Sequence, residues 1–334
     1  MEKIILQSPY DMHLHLRDTP LLEKVAKYTA QYFSGALVMP NLNPPVDSVE
    51  LALGYKERIL KACNGNDFMP LMSLYLTERL DKGVLKRAKE VGIKFIKLYP
   101  KGATTGSESG VSRVLDDKIL QILEYAQDLG LILSIHGESN GFSMEREAEF
   151  HPVFVELATT FPQLKIIFEH LSDARSIALV EKYSNLFATL TLHHISLCLD
   201  DVIGGGLNPH YFCKPILKTP KDRDVLLQIA LNAHCKFSFG SDSAPHLREN
   251  KENAKGAAGI FSAPFALLGL AELFDKHNQL ENLQAFVSEN AQRIYDLPKS
   301  SKIVTLIKKA TQIPQEINGI VPIFTGNSLS WSYA

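Results

Sequence analysis

The stretch Asp11-Met12-His13-Leu14-His15-Leu16-Arg17-Asp18 closely follows an apolar run, Ile4-Ile5-Leu6, at the start of a 334-residue chain. Residues two apart on a strand point to the same side, so His13 and His15 are expected on one face and Met12, Leu14 and Leu16 on the other. Two neutral imidazoles converging from a rigid strand can hold a zinc-like ion, provided that other segments complete the coordination shell. By itself His-x-His is a short pattern that equally describes two polar residues on a half-exposed strand. Its weight comes from later strands, several of which end in a residue able to meet a metal or a substrate.

Downstream, β-branched or apolar runs alternate with amphipathic segments. A helix over 21–33 leads to a buried strand, Gly35-Ala36-Leu37-Val38-Met39-Pro40-Asn41, and a helix over 49–62 to a third strand over 69–76. A helix carrying Leu80, Val84, Leu85 and Ala88 precedes Lys94-Phe95-Ile96-Lys97-Leu98-Tyr99-Pro100. After a helix over 116–129 comes Leu131-Ile132-Leu133-Ser134-Ile135-His136, and after another over 146–160 comes Lys165-Ile166-Ile167-Phe168-Glu169-His170. The seventh strand spans 186–192, closing on His193-His194, and the eighth is Lys236-Phe237-Ser238-Phe239-Gly240-Ser241-Asp242. Strands alternating with helices imply right-handed parallel crossovers, and eight of them imply a closed (β/α)8 TIM barrel with its active site where the strands end. Residues 1–334 are expected to form a single domain, with about 262–334 as a C-terminal helical extension packed on the barrel. That extension reads as an Ala/Leu-rich helix, a second helix over 283–297, and an irregular tail through Pro314, Pro322 and Trp331.

Composition narrows the function. A hydrophobic fraction of 45%, a charged fraction of 22% and a net charge of −2 describe a globular protein with no cationic excess for nucleic acid. The four cysteines, Cys63, Cys198, Cys213 and Cys235, are far apart in sequence and suggest neither a disulfide framework nor a cysteine zinc site. Reduced thiols, the lack of a signal-peptide pattern and the lack of a membrane-length apolar run lead us to expect a cytoplasmic protein without membrane contacts.

Lys97 shares its strand face with Phe95 and Tyr99. An ammonium aimed into a barrel interior must find an anion or lose its charge, and a neutral buried amine can react with carbon dioxide. The carbamate so formed carries two oxygens on a long arm and can bridge two metals. The ordinary alternative is a lysine that reaches back to water or pairs with a carboxylate.

Together, His13-x-His15-x-Arg17-Asp18, Met39-Pro40-Asn41, Lys97-Leu98-Tyr99-Pro100 with Ala103-Thr104-Thr105, His136-Gly137-Glu138, Phe168-Glu169-His170 and Gly240-Ser241-Asp242-Ser243-Ala244-Pro245-His246 resemble the dihydroorotases. The likeness is to the bacterial single-function type within the amidohydrolase superfamily. Each motif is short, but the ordered set spans nearly the whole chain. The resemblance implies two Zn2+ ions per subunit, one held by His13 and His15, the other by His136 and His170. Carboxylated Lys97 and a hydroxide would bridge them, and Asp242 would complete the first site. The centre so composed keeps a net positive charge and favours an anionic substrate. Zinc polarises a carbonyl and lowers the pKa of water, while Asp242 would act as general base and later as acid. In the biosynthetic direction N-carbamoyl-L-aspartate closes to L-dihydroorotate with loss of water, a step of de novo pyrimidine (UMP) synthesis.

The same resemblance assigns the substrate contacts. Arg17 offers a planar fork for the α-carboxylate, Asn41 and His246 are further donors, and His15 and His136 border the substrate. Backbone atoms of Lys214 and Ala258 should meet the ring amide, although a lysine at position 214 departs from the apolar residue expected in a close relative. Arg17 could instead pair with Asp18, and Asn41 could instead be a turn residue before Pro44-Pro45. Residues 101–110 are expected to form a mobile lid with Gly102, Gly106 and Gly110 as hinges and Thr104 and Thr105 reaching the substrate on closure. Lys101-Gly102 departs from the family pattern there. Among the other histidines, His193, His194 and His210 are expected in structural hydrogen bonds, and His151, His234 and His277 in helical segments. Two other functions remain compatible. A cyclic amidase of the hydantoinase kind would share the metal ligands without needing the carboxylate clamp, and a non-enzymatic scaffold would be free to lose ligands. The expected partner is a small molecule; the chain is compatible with a homodimer.

Overall fold

In the computed structural model, which describes residues 2–334, the strands number eleven in chain order: β1 (Lys3–Gln7), β2 (Tyr10–Leu14), β3 (Gly35–Val38), β4 (Met69–Tyr75), β5 (Phe95–Leu98), β6 (Ile132–Ile135), β7 (Lys165–Phe168), β8 (Leu186–Leu190), β9 (Phe237–Phe239), β10 (Ile303–Gln312) and β11 (Ser328–Tyr333). β2 to β9 follow one another side by side as an eight-stranded parallel sheet. The sheet closes where Asp242 N donates to His13 O at 2.8 Å and His15 N donates to Ser243 O at 3.1 Å. The expected α/β barrel is therefore the fold. The backbone bonds that seal it belong to the residues whose side chains build the site.

Strand pleating explains what fills the barrel. A cluster of Tyr10, Met12, Leu37, Met39, Phe95, Ile132, Ile167, Ile294 and Tyr295 occupies its lower interior. One pleat period onward, the same faces of β5, β6 and β7 carry Lys97, Ser134 and Glu169, so the interior changes from apolar to polar toward the strand ends. The helices pack the opposite strand faces into one large outer core that includes Leu14, Leu16, Ile96, Leu133 and Phe168.

Several expectations about this framework change. Met12 lies in the inner cluster and Leu14 and Leu16 in the outer one, because the pairing register of β2 shifts between Asp11 and Leu14. His13 and His15 consequently enter the barrel on the same side as Met12. The seventh barrel strand stops at Leu190, since the Thr191 hydroxyl accepts a 3.0 Å bond from His194 N and caps a short helix, Leu192–Ser196, that carries both histidines. The helix expected over 146–160 is two helices, Arg146–Glu149 and His151–Thr160, the second having Pro152 in its first turn. His234 lies in the turn after helix Pro220–Leu231, outside any helix.

The tail is irregular around Pro314 and Pro322, as expected, but not at Trp331, which lies in β11. β10 pairs antiparallel with both β1 and β11, with Lys3 opposite Ile307 and Leu306 opposite Tyr333, so the two ends of the chain share a small sheet beside the barrel. The extension thus contributes strands as well as the helices Ala266–Lys276 and Asn290–Tyr295. Alternation in β10, with Val304 and Leu306 buried and Ile303 exposed, is the usual mark of a one-sided strand, but its partner β1 lies almost the whole chain away. No helix among the described residues is long and apolar enough to cross a membrane.

Candidate active site

At the open end of the barrel, His13 Nε2 lies 3.5 Å and His15 Nε2 3.1 Å from Asp242 Oδ1. Ligand atoms of these three buried side chains all fall within 4.8 Å of one another. Across the barrel, His136 Nδ1 faces His170 Nε2 at 3.1 Å. The rings of His13 and His170 are 4.9 Å apart and link the two pairs. Lys97 stands fully buried among them with its ammonium 4.8 Å from the Tyr99 ring. The structure thus brings together all six residues expected as ligands.

Burial governs their protonation. Desolvation lowers the pKa of His13, and those of His15 and His170 fall well below the usual imidazole value, with nearby cationic groups adding to the effect in all three. Neutral imidazole is the form that binds metal. Desolvation also lowers Lys97 to about 8, against a smaller upward pull from Glu169 and Asp242. Asp242 is raised, again by burial, with His13, His194 and Lys97 opposing the rise. Its proton affinity is therefore moved toward that of a group able to take and return a proton near neutrality.

Whether these residues fit a metal pair can be judged from their unmet bonding. Among the described residues, His13 Nε2, Lys97 Nζ and His170 Nδ1 are buried without a hydrogen-bond partner. Each such group costs about 1–3 kcal/mol when nothing satisfies it. Neutral imidazoles and a carboxylate form a suitable donor set for zinc, and a lysine with depressed pKa is the form that carboxylation to a further oxygen donor requires. The residues fit the group.

Two carboxylates behind the ligands belong to motifs in which the sequence reading gave them no role. Glu169 Oε2 lies 2.8 Å from His13 Nδ1 and accepts a 2.6 Å bond from the Thr189 hydroxyl, while Oε1 accepts from the Ser134 hydroxyl. Glu138 Oε2 lies 2.8 Å from His136 Nε2. Burial would raise both carboxyls, but the bonds and charges around them, His13 for Glu169 and His136 for Glu138, hold them below the usual range. Each carboxylate fixes the ring and tautomer of its histidine. A third acid, Asp11, accepts from Ser241 N at 2.7 Å, from Ser241 Oγ at 2.6 Å and from His13 N at 3.2 Å, tying β2 to the loop that carries Asp242. The signal available for all three was an acidic residue close in sequence to a ligand.

Of the expected substrate residues, His15, Arg17, Asn41, His136, Thr104, Thr105, Lys214 and Ala258 line the same small cavity, while His246 stands behind Arg17 and Ala258. Arg17 does not pair with Asp18. Its Nη2 lies 2.9 Å from His246 Nε2, whereas Asp18 is held by Arg58 through contacts of 2.8 and 3.0 Å. His246 Nε2 also lies 3.0 Å from Ala258 O. One ring nitrogen cannot accept from Arg17 and donate to a carbonyl at once, so His246 has two alternative bonds to exchange when Arg17 takes another anion. Burial and the nearby Arg17 cation lower its pKa to about 3, which keeps the ring neutral throughout. Asn41 is more than a turn residue. Its Oδ1 lies 2.9 Å from His15 Nδ1, and its amide donates to Thr105 O at 3.0 Å. Residues 101–110 are tucked inward by that bond, by Tyr75 OH to Gly106 O at 3.3 Å and by the Ser107 hydroxyl to Thr104 O at 2.5 Å. Gly106, at φ +70°, passes so close that a Cβ would meet Asn41 O at 3.0 Å.

Other histidines follow their structural assignment unevenly. His194 bonds Thr191 Oγ1 at 2.9 Å and Pro215 O at 3.1 Å, and His210 bonds Glu252 at 2.8 Å. His193, contrary to expectation, has no partner for either ring nitrogen among the described residues. It adjoins His194 and Cys213, but the Cys213 thiol already donates to Pro215 O at 3.2 Å, so both neighbours are engaged.

Comparison with known proteins supplies the family. The Amidohydrolase family profile matches residues 5–311. A dihydroorotase of Helicobacter hepaticus is 56% identical over 98% of this chain and 96% of its own length. The chain belongs to the dihydroorotases of the amidohydrolase family. Its barrel superposes on the crystal structure of dihydroorotase from Campylobacter jejuni with a TM-score of 0.94, at 45% identity and covering 99% of this chain and 97% of that one. The dihydroorotase of Saccharomyces cerevisiae, solved in complex with 5-fluoroorotic acid, gives 0.94 at 35% identity, covering 100% and 99%. With its family known, this dihydroorotase barrel carries each of the six motif groups at the mouth where such enzymes act.

Proposed function

We propose that the chain catalyses reversible closure of N-carbamoyl-L-aspartate to L-dihydroorotate, with His13, His15, His136, His170, Asp242 and carboxylated Lys97 holding two zinc ions. The observation that carries this reading is the convergence of His13, His15 and Asp242, with the His136–His170 pair across from them, on a cavity that Arg17 also lines. Bound there, zinc supplies Lewis acidity toward the reacting carbonyl and a water of lowered pKa.

The protein's own groups do the rest. Arg17 clamps the α-carboxylate, and Asn41 and His246 fix the orientation of the acid. Backbone atoms at Lys214 and Ala258 meet the ring amide, while Thr104 and Thr105 close over it and exclude water. In ring closure the ureido nitrogen attacks the side-chain carboxyl carbon. A C–N bond forms, a C–O bond breaks and water leaves: Asp242 passes one proton from nitrogen to the departing oxygen, and the second proton that a carboxylate oxygen needs to depart as water is taken up from solvent. Ring opening is the same path reversed. A carboxylate clamp favours this reading over a hydantoinase-like one, since unsubstituted hydantoins offer Arg17 nothing to hold.

The whole of residues 1–334 works as one domain, and the reaction is placed in the cytoplasm, in keeping with the unpaired Cys63, Cys198, Cys213 and Cys235. Assembly as a homodimer is compatible with the site, which draws every named residue from one chain. An ultraviolet assay of dihydroorotate opening, run beside hydantoin and dihydrouracil with elemental analysis of the same sample, tests the proposal. Turnover of dihydroorotate with about two zinc ions per chain is expected; turnover of the uncharged rings alone sinks it.

A further inference from the structure

Lys251 ends the short helix Arg248–Lys251, is 3% exposed, and does not border the cavity. Its ammonium donates to Phe212 O at 2.9 Å and to Gly259 O at 2.6 Å. Among the described residues it has no carboxylate partner. A buried cation without an anion is costly, and a leucine or methionine would fill the same space without that cost. What the lysine joins gives it a use. Phe212 O also accepts from Gly259 N at 2.9 Å, so three hydrogen bonds knot two distant segments together. Two residues beyond Phe212 is Lys214, and one residue before Gly259 is Ala258; both line the cavity.

The knot has little slack. Gly259 adopts φ +146°, and a Cβ there would approach Ala244 O to 2.4 Å, so the backbone is already pressed against the loop after β9. From Ala258 O the contacts run at 3.0 Å to His246 Nε2 and at 2.9 Å on to Arg17. The Arg17 cation disfavours the charge on Lys251, while Asp242 on the same cavity favours the charge on Arg17. Arg17 and Lys251 thus bring two cations to that end of the cavity.

We infer that Lys251 is a positioning residue for substrate: it pins the Phe212–Lys214 and Ala258–Gly259 segments in register and adds a second cation behind Arg17, favouring a dianionic or monoanionic acid over a neutral ring. This rests on the reading of the cavity as the dihydroorotate site. The group touches no substrate and acts through the backbone and the field. Burial lowers its pKa to about 8, with Cys213 opposing and Arg17 adding to the fall, so the amine still carries its proton over most of the neutral range.

The test compares Lys251→Met, Lys251→Gln and Lys251→Arg in the zinc-loaded full chain, measuring KM and kcat for dihydroorotate, zinc content and thermal midpoint. Lys251→Met should raise KM on the order of 10–100-fold, the effect of losing charge-assisted bonds, while kcat stays within about threefold and zinc content is unchanged. Lys251→Arg should recover most of the KM, and Lys251→Gln, a neutral donor, only part. A Met variant that melts earlier but keeps the wild-type KM overturns the inference, as does equal recovery by Gln and Arg for the charge. Should Lys251→Met not fold, the Gln and Arg pair is read in the same way. Failure of the wild-type protein to open dihydroorotate would strike the underlying reading, and is seen before any variant is made.

Discussion

Replacing Glu169 by Gln changes one oxygen to an amide and keeps the side chain's shape. In the native protein the carboxylate lies 2.8 Å from His13 Nδ1, accepts from Thr189 Oγ1 at 2.6 Å and accepts from the Ser134 hydroxyl. It is fully buried and held ionised, so its charge acts on His13 with little screening. That charge keeps the proton on Nδ1 and turns the Nε2 lone pair toward Asp242 and the metal position. In Glu169→Gln the amide oxygen can still accept from His13, and the two hydroxyls can rotate to suit the new NH2, so packing and bond count survive. The charge does not. Losing such a carboxylate typically weakens a metal by about 10–100-fold, or roughly 1.4–2.7 kcal/mol. We would equilibrate wild type and Glu169→Gln in a graded series of zinc buffers and measure bound zinc by elemental analysis, with circular dichroism as a check on folding. The expected result is a loading curve displaced by one to two decades in free zinc, about as large for Glu138→Gln, whose carboxylate meets His136 at 2.8 Å. Superimposable curves from a folded Glu169→Gln protein would falsify the assignment of Glu169 as the group that orients His13.

Carboxylation of Lys97 needs the neutral amine, and a pKa lowered from 10.5 to about 8 leaves roughly 9% of it neutral at pH 7 instead of roughly 0.03%. Uptake of bicarbonate-derived carbon by metal-stripped protein, followed with labelled bicarbonate, should rise with pH up to about 8 and then level; a rise continuing to pH 10 would mean that burial does not tune this lysine. Lys97→Ala should lose at least one zinc and nearly all turnover, both partly restored by short carboxylic acids, and full zinc with normal turnover in that variant would exclude the bridge. Asp242→Asn should still fold yet lose most turnover, because an amide cannot take the proton; unchanged kinetics would remove the shuttle. Changing Thr104 and Thr105 together to Ala should lower kcat/KM on the order of a hundredfold with zinc retained, and wild-type values in both directions would reduce the 101–110 loop to a covering.

The barrel was readable because each parallel strand announces itself as a short apolar run, and because the proposed ligands sit at strand ends where pleating makes them converge. Lys97 and His136 are such cases: sequence alternation from Phe95 and Ile132 leads straight to them. What escaped were features set by distant partners. Nothing local in 303–312 says that β1 lies beside it, and the sign of Met12's face depends on a register shift visible only once β2 and β3 are paired. Glu138 and Glu169 were in plain view within the motifs, yet alternation says only that they point inward; that each lies 2.8 Å from a ligand histidine is a matter of three dimensions. Lys251 was less accessible still, since its partners are backbone carbonyls, which a sequence pattern does not mark.

Three non-glycine residues of the site, Arg17 at φ +58°, His170 at φ +42° and Asp242 at φ +43°, adopt left-handed backbone geometry that ordinary side chains avoid. Each such residue costs on the order of 1 kcal/mol or more, so the surrounding structure must over-determine it. For Asp242 the restraint is visible in the 2.8 Å bond from its N–H to His13 O, and for His170 in the 2.7 Å bond from its N–H to Thr189 Oγ1. At Arg17 the restraint is the Tyr55 hydroxyl, which donates to Arg17 O at 2.5 Å, while Arg58 removes Asp18 as a competitor for the guanidinium. An extended backbone at Arg17 would continue the alternation of β2 and send the side chain along the strand direction. The left-handed turn instead folds the fork back over the cavity beside His246. The proposed specificity for an acid over a neutral ring therefore depends on a backbone conformation as much as on a residue type: the same arginine on a relaxed loop, free to pair with Asp18, would leave the proposed metal ligands intact and the proposed carboxylate clamp undone.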